Sequence, residues 1–232
     1  MVYGVILAGG SGKRMNSDIP KQYIDLGGKP VLYYSLYEFS ESNVDKIIIV
    51  AGENDIDYVK THIVDKYGIK KVENVIAGGK ERYNSVYNSL KAICETDYVL
   101  IHDGARPFIK KEIINAMIDD VKNNKASIAA VPVKDTIKMT DGNNNIVSTI
   151  PRKNLWQIQT PQAFDYKMLF AAYEKVFMNN AQENITDDSM IWEYVYKNIP
   201  VKIFVSDYNN FKITTSEDMI YAKALIANNC GL

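Results

Sequence analysis

Over its first 133 residues the chain alternates short runs rich in β-branched residues with longer amphipathic segments, a rhythm that few folds accommodate. Residues 2–7, 46–51, 71–76, 98–102 and 127–133 predict strands. Most are almost continuously apolar, the pattern of a parallel sheet buried on both faces. Residues 31–40, 56–67, 82–93 and 111–123 predict crossover helices; in the first, Leu32, Leu36 and Phe39 recur at helical spacing. The expectation is an α/β fold with an open, mostly parallel sheet. Ligands of such sheets sit beyond the carboxyl ends of the strands.

The rhythm breaks after Val133. Residues 135–140 and 146–150 flank Asp141-Gly142-Asn143-Asn144-Asn145, a turn-forming run, and predict a β-hairpin arm at about 135–152 that projects from the sheet. Helices follow at 166–178 and 188–196, then a strand at 201–205. A last helix opens after Thr214-Thr215-Ser216-Glu217, where Thr214 and Glu217 match a capping box. No repeat, low-complexity tract or linker interrupts the chain, so one domain over 1–232 with an arm is expected. The 47% hydrophobic content supplies enough apolar surface to offset chain entropy and excludes disorder as the main state. With 27 Lys and Arg against 28 Asp and Glu there is no basic excess, so nucleic acid is not an expected partner.

Two distant cysteines, Cys94 and Cys230, make neither a zinc site nor a disulfide framework and suit a reducing compartment. Cys94 follows Leu90 and Ile93 in a helical pattern and is expected to be a small buried hydrophobe. The first residues carry no basic segment before their short apolar run. No apolar stretch approaches the ~18–20 residues of a membrane span. A soluble, cytoplasmic protein without membrane partners is the expectation.

Three loops carry candidate chemistry. The first strand ends in Leu7-Ala8-Gly9-Gly10-Ser11-Gly12-Lys13-Arg14-Met15, followed by Pro20-Lys21-Gln22-Tyr23. Glycines let backbone N–H groups approach phosphate oxygens. The spacing is not that of a Walker A loop, since Gly12-Lys13 precedes Arg14 and Leu7 stands where glycine is needed; a dinucleotide fingerprint on Gly10 and Gly12 would need glycine at Met15. With Arg14 and Lys21 beside it, the loop suits a triphosphate. The second loop is His102-Asp103-Gly104-Ala105-Arg106-Pro107. A carboxylate ending a buried strand needs a cation, either Mg²⁺ with phosphate oxygens or a structural partner in Arg106. His102, accompanied only by His62, reads as a hydrogen-bonded structural histidine. The third is Ala77-Gly78-Gly79-Lys80-Glu81-Arg82, whose backbone donors, with Ser85, suit a base edge; taken alone it is a loop and a helix start. Further polar positions are Asp135-Thr136, Arg152, Thr160-Pro161-Gln162, Thr186-Asp187-Asp188 and Lys212. Arg152 and Lys212 suit a phosphate, although an isolated basic residue is usually solvated surface.

These pieces recur in order from Leu7 to Thr214, together with Pro132-Val133-Lys134-Asp135-Thr136-Ile137-Lys138 and Leu155-Trp156-Gln157-Ile158-Gln159. The set resembles the 2-C-methyl-D-erythritol 4-phosphate cytidylyltransferases of the non-mevalonate isoprenoid pathway. Ribitol 5-phosphate cytidylyltransferases are similar almost as well. Leu7-Ala8-Gly9-Gly10 replaces the Pro-Ala-Ala-Gly more usual in the erythritol enzymes, a variant shared with ribitol and sugar nucleotidyltransferases. Ser89 replaces a common glycine, a change expected to touch only helix packing. The pieces from Asp103 to Gln162 look more like the erythritol branch.

The resemblance implies a Rossmann-like fold of the nucleotide-diphospho-sugar transferase type and CTP-dependent formation of CDP-methylerythritol with release of pyrophosphate. It implies Arg14 and Lys21 as catalytic, and Ala8, Gly9, Gly10, Ser11, Gly12, Gly79, Ser85 and Gly104 at the nucleotide. Asp103, Arg106, Thr136, Arg152, Thr160 and Lys212 fall to the acceptor, with Asp103 also holding Mg²⁺. A homodimer whose arms help close each other's sites is implied as well. CDP-ribitol synthesis and non-catalytic nucleotide binding are the other readings; NAD-dependent chemistry is disfavoured by Met15.

Overall fold

A computed structural model of the chain describes residues 1–10, 19–181 and 184–228. Seven strands form the central sheet: β1 (Val2–Ala8), β2 (Lys46–Ala51), β3 (Val72–Ala77), β4 (Tyr98–Asp103), β5 (Ala126–Pro132), β8 (Trp156–Asp165) and β9 (Lys202–Val205). Their order is β3-β2-β1-β4-β8-β5-β9. All neighbours run parallel except β8, which is antiparallel to both β4 and β5. The mostly parallel α/β sheet expected from the sequence is therefore present. Because the chain steps outward from β1 through β2 to β3 and then returns to β4 on the other side, the switch in strand order lies between the ends of β1 and β4.

Helices cover both faces, which is why the strands carry apolar residues at nearly every position. On one side lie α1 (Val31–Glu41), α2 (Ile56–Val59, continued by a π-helical stretch Lys60–Asp65) and α4 (Lys111–Asn124). The α4 stripe of Ile114, Met117, Ile118 and Val121 packs with Leu32, Leu36 and Phe39 against Ile6 and Ala8. On the other side lie α3 (Arg82–Ala92), α5 (Tyr166–Met178) and α6 (Asp188–Val195). Val86, Leu90, Tyr173 and Trp192 there meet Tyr3 and Val5, the alternate residues of β1. Ser89 is buried on α3 with its hydroxyl donating to the Val86 carbonyl at 2.6 Å, a packing position as expected.

The central strand β8 is the element that the sequence pattern does not mark. It contains Pro161 and three buried polar side chains, Gln159, Thr160 and Gln162, all features that argue against a central strand. The structure accommodates them through a break in register. Pairing with β5 jumps from Ile128–Gln162 to Ala130–Ile158, so that residues 159–161 stand opposite Ala129 alone. In that bulge the ladder does not need the missing Pro161 N–H.

The arm is a separate two-stranded sheet of β6 (Ile137–Thr140) and β7 (Ile146–Ile150), as expected from the sequence. Asp141 closes its turn by accepting the N–H groups of Asn143 and Asn145 at 2.9 and 3.1 Å. The arm's own strands leave Ile137, Met139, Ile146 and Val147 exposed.

Two local expectations are corrected. Cys94 is exposed rather than buried: α3 ends at Ala92 and Ile93 is extended (φ −81°, ψ 120°), so the helical phase that would turn Cys94 inward is lost. The last helix, α7 (Ser216–Asn228), is capped one residue later than the sequence match suggests. Asp218 Oδ2 accepts the N–H groups of Thr214 (2.8 Å) and Thr215 (2.9 Å), and Asp218 N–H reaches back to Thr215 Oγ1 at 3.4 Å. The shorter acid fits the box with Thr215, while Glu217 accepts the Ser216 hydroxyl at 3.3 Å and does not reach the Thr214 N–H that the sequence match assigned to it. Thr215→Ala should therefore cost about 1 kcal/mol, while Glu217→Ala should stay within about 0.5 kcal/mol of the parent. Urea denaturation of the two variants checks which box is real.

Candidate active site

The carboxyl ends of β1 and β4 open into a cleft of about 500 Å³. Its walls are Leu7–Gly10 from the end of β1, Lys21 and Gln22 from the turn before α1, residues 79–82 with Ser85, Asp103 and Ala105 after β4, and Lys212 with Thr214. The three loops singled out in the sequence thus converge on one hollow. Ser11, Gly12 and Arg14 lie outside the described residues.

Each wall is tied down by a specific contact. Gln22, buried under the loop, donates from Nε2 to the Ala8 carbonyl at 2.6 Å and so anchors the start of the glycine-rich turn. Lys21 Nζ donates to the Ile213 carbonyl at 2.8 Å, which draws Lys21 and the Lys212 segment together. Gly79 N–H donates to Ser85 Oγ at 3.0 Å, and that hydroxyl donates in turn to the Glu81 carbonyl at 3.3 Å. A Cβ on Gly79 would meet Asn84 Cβ at 2.3 Å, so only glycine lets this loop lie against the first turn of α3. Gly104 gives its N–H to the Leu7 carbonyl at 2.8 Å. Its contribution is space rather than a donor for a ligand, since a Cβ there would come within 2.6 Å of Leu32 and 3.1 Å of the Leu7 carbonyl oxygen.

Asp103 sits at the centre. Its Oδ2 lies 2.9 Å from Lys212 Nζ and 3.7 Å from Arg106 Nε, and its Oδ1 lies 3.4 Å from Arg82 Nε. Burial alone would raise its pKa; Arg82, Lys212 and Arg106 overcome that and hold the carboxyl well below the usual carboxylate range. The ion pair with Arg106 weighed at the sequence level is present but is the longest of three. Arg82, which the sequence marked only as a motif member, is a full partner. Neighbouring His102 is wholly buried. Its Nε2 lies 3.2 Å from the Arg106 carbonyl, which can only accept, so Nε2 carries the proton. Nδ1 then accepts from the Thr160 hydroxyl at 3.0 Å, which itself accepts the Asp103 N–H at 3.0 Å. His102 is structural, as the sequence suggested, and Thr160 is engaged in holding Asp103.

A second hollow of about 420 Å³ adjoins the first, lined by Arg106, Val131, residues 157–159, Tyr208, Phe211 and Lys212. Lys212 borders both. Thr136 and Arg152 line neither; Arg152 is exposed at the arm's base, donating to the Lys134 carbonyl at 2.7 Å. For Mg²⁺, no group of three acidic, histidine or cysteine side chains gathers among the described residues. Asp103 offers a single carboxylate at the cleft wall, which suits an ion that arrives already held by phosphate oxygens.

The family model described as IspD, 2-C-methyl-D-erythritol 4-phosphate cytidylyltransferase, matches residues 2–228. The chain belongs to this family. A cytidylyltransferase of that description from Lachnospira eligens is 49% identical over 216 residues, covering 93% of this chain and 94% of the relative. One from Lachnoclostridium phytofermentans is 47% identical, covering 97% and 96%. Among solved structures, the 4-diphosphocytidyl-2C-methyl-D-erythritol synthase of Anaerococcus prevotii superposes with a TM-score of 0.85 at 38% identity, covering 97% and 96% of the two chains. The cytidylyltransferase of Francisella tularensis gives 0.78 at 32%, covering 96% and 98%. The cleft therefore lies in a cytidylyltransferase scaffold along its whole length.

Burial pushes the His102 pKa down to about 3. Between pH 6.5 and 3 the unfolded chain binds a proton at this position that the folded chain refuses, so stability rises with pH across that window and falls as pH drops. The other histidine, His62, is exposed. Burial also raises the Glu38 pKa, an opposite contribution that cancels in the stability difference between the parent and His102→Gln. From pH 7 to 5.5 that difference should shrink in urea denaturation, with a slope that steepens towards about 1.4 kcal/mol per pH unit. His102→Gln should be the less stable of the two at pH 7.

Proposed function

We propose that the chain transfers the cytidylyl group of CTP to 2-C-methyl-D-erythritol 4-phosphate, forming CDP-methylerythritol and pyrophosphate for isoprenoid precursor synthesis. The observation that carries this reading is the cleft at the sheet's switch point in a member of this family, where Lys212 and Arg82 meet the buried Asp103 carboxylate and Lys21 lines the same wall. We take the chain as one catalytic unit. Its place is the cytoplasm; among the described residues no helix is long and apolar enough to cross a membrane.

An oxygen of the acceptor's phosphate monoester attacks the α-phosphorus of CTP, the bond to the β-phosphate bridging oxygen breaks, and pyrophosphate leaves with that electron pair. Attack by a phosphate oxygen needs no general base, so the protein's work is alignment and charge neutralisation. The Ala8-Gly9-Gly10 turn, with Ser11 and Gly12, receives the triphosphate. The Gly79–Ser85 wall takes the base. Lys21 and Arg14 offset the charge that gathers at the α-phosphate. Lys212, bordering both hollows, serves the acceptor phosphate, and Asp103 and Arg106 face its hydroxyls, while Thr160 holds Asp103 in place. Asp103 is the residue that would hold Mg²⁺, which when bound neutralises triphosphate charge.

A pyrophosphate-release assay with CTP and a panel of polyol phosphates tests the reading. Turnover should be greatest with 2-C-methyl-D-erythritol 4-phosphate, and a preference for ribitol 5-phosphate would move the chain to the CDP-ribitol reading. In the same assay Lys21→Ala should lower kcat by roughly 10²–10³ with only a small change in KM for CTP. Near-normal kcat would remove Lys21 from the chemistry.

The chain acts as a homodimer in which each arm helps close the other subunit's site. In support, a two-stranded hairpin is marginal alone, this one exposes four large apolar side chains, and its basal residues Thr136 and Arg152 line neither hollow of their own chain. Mixing Arg152→Ala with Lys21→Ala subunits should restore part of the activity, since each heterodimer then contains one intact site. No recovery under demonstrated subunit exchange would place Arg152 in its own subunit's site.

A further inference from the structure

The Thr186-Asp187-Asp188 motif lies outside both hollows, yet it connects to the centre of the cleft. Asp188 opens α6 and is wholly buried. Its Oδ1 accepts the Tyr173 hydroxyl at 2.6 Å, and its Oδ2 lies 2.8 Å from Arg82 Nη2. The neighbouring Nε of the same guanidinium faces Asp103 Oδ1 at 3.4 Å. Arg82 is thus wedged between a carboxylate deep in the protein and the carboxylate at the cleft wall.

The anchor is itself rigidly held. Asp187 caps α6 by accepting the Met190 N–H at 3.1 Å. Gln162 on β8 accepts the Asp188 and Ser189 N–H groups at 3.1 and 3.2 Å and donates to Asp187 Oδ2 at 3.1 Å. Two residues earlier on the same strand, Thr160 holds the Asp103 backbone. Both ends of the Asp188–Arg82–Asp103 chain therefore rest on one buried strand. The charge pattern has a consequence for a polyanionic ligand. Without Asp188, Arg82 would be free to swing from Asp103 towards the triphosphate, adding affinity for nucleotide while releasing one side of the carboxylate.

We propose that Asp188 is a positioning residue for the cytidylyl transfer. It aims Arg82 at Asp103 and withholds that cation from the ground-state triphosphate. The inference rests on the function proposed above.

The test is a double-mutant cycle of Asp188→Asn and Arg82→Gln, with steady-state pyrophosphate release from CTP and 2-C-methyl-D-erythritol 4-phosphate, and melting curves for every variant. Wild-type turnover tests the function; the pattern among variants tests this inference. Asp188→Asn should lower kcat at least about tenfold while KM for CTP stays level or falls. In the Arg82→Gln background the same change should lower kcat no further. A role confined to folding would instead reduce the melting temperature and the active fraction in both backgrounds. A raised KM with unchanged kcat, or fully additive losses in kcat, overturns the proposal. Should Asp188→Asn alone fail to fold, Arg82→Gln compared with the double variant, in which both buried charges are gone, decides the matter. Equal kcat supports the proposal and a further fivefold loss overturns it.

Discussion

The carboxylate of Asp103 is the point on which the rest of the site depends. A buried negative charge at the end of a central strand is tolerated only when cations meet it, and here three do so from different parts of the chain. Arg82 comes from the start of α3, Arg106 from the loop after β4, and Lys212 from the stretch before α7. One electrostatic requirement therefore draws the start of α3, the loop after β4 and the C-terminal segment onto one locus. The positive charge in excess of that carboxylate lines the cleft.

The strand β8 makes that arrangement definite. In a purely apolar strand the same position would only pack; here its polar residues each fix a different neighbour. Gln159 accepts from Asn210, whose main-chain carbonyl receives Arg106. Thr160 holds the Asp103 N–H and the His102 ring. Gln162 fastens the start of α6. Buried hydrogen-bonding groups are stabilising only when satisfied, and these bonds fix the relative placement of three segments around β8. The bulge that accommodates Pro161 also sets the spacing of these three side chains.

The family's sequence pieces take on separate meanings in this geometry. Gly79 is required because the first turn of α3 occupies the place of a side chain, and at Gly104 the Leu32 side chain and the Leu7 carbonyl crowd that place. Gln22 supports a turn from beneath, and Ser85 holds the loop that it lines. Ser89 lies on the packed face of α3, away from chemistry. The arm stands apart from these constraints, with its own turn hydrogen bonds and an apolar surface that its own strands leave uncovered.

The alternation of strands and helices, the sheet's class, the hairpin and the three loops beyond the strand ends were legible in the sequence because periodicity and turn chemistry are local. The cations Lys21 and Lys212 and the carboxylate Asp103 could also be picked out, since charge beside a glycine-rich turn or a buried strand needs a reason. Local rules failed where the chain departs from periodicity by one or two residues: Cys94 turns outward once α3 stops, and the α7 box shifts to Thr215 and Asp218. Only the tertiary structure decided that Trp156–Asp165 is a central strand, and that Arg82 and Asp188, 106 positions apart, share a buried ion pair. Those facts depend on which distant groups satisfy one another's charge and hydrogen bonds, and no window along the chain contains both partners.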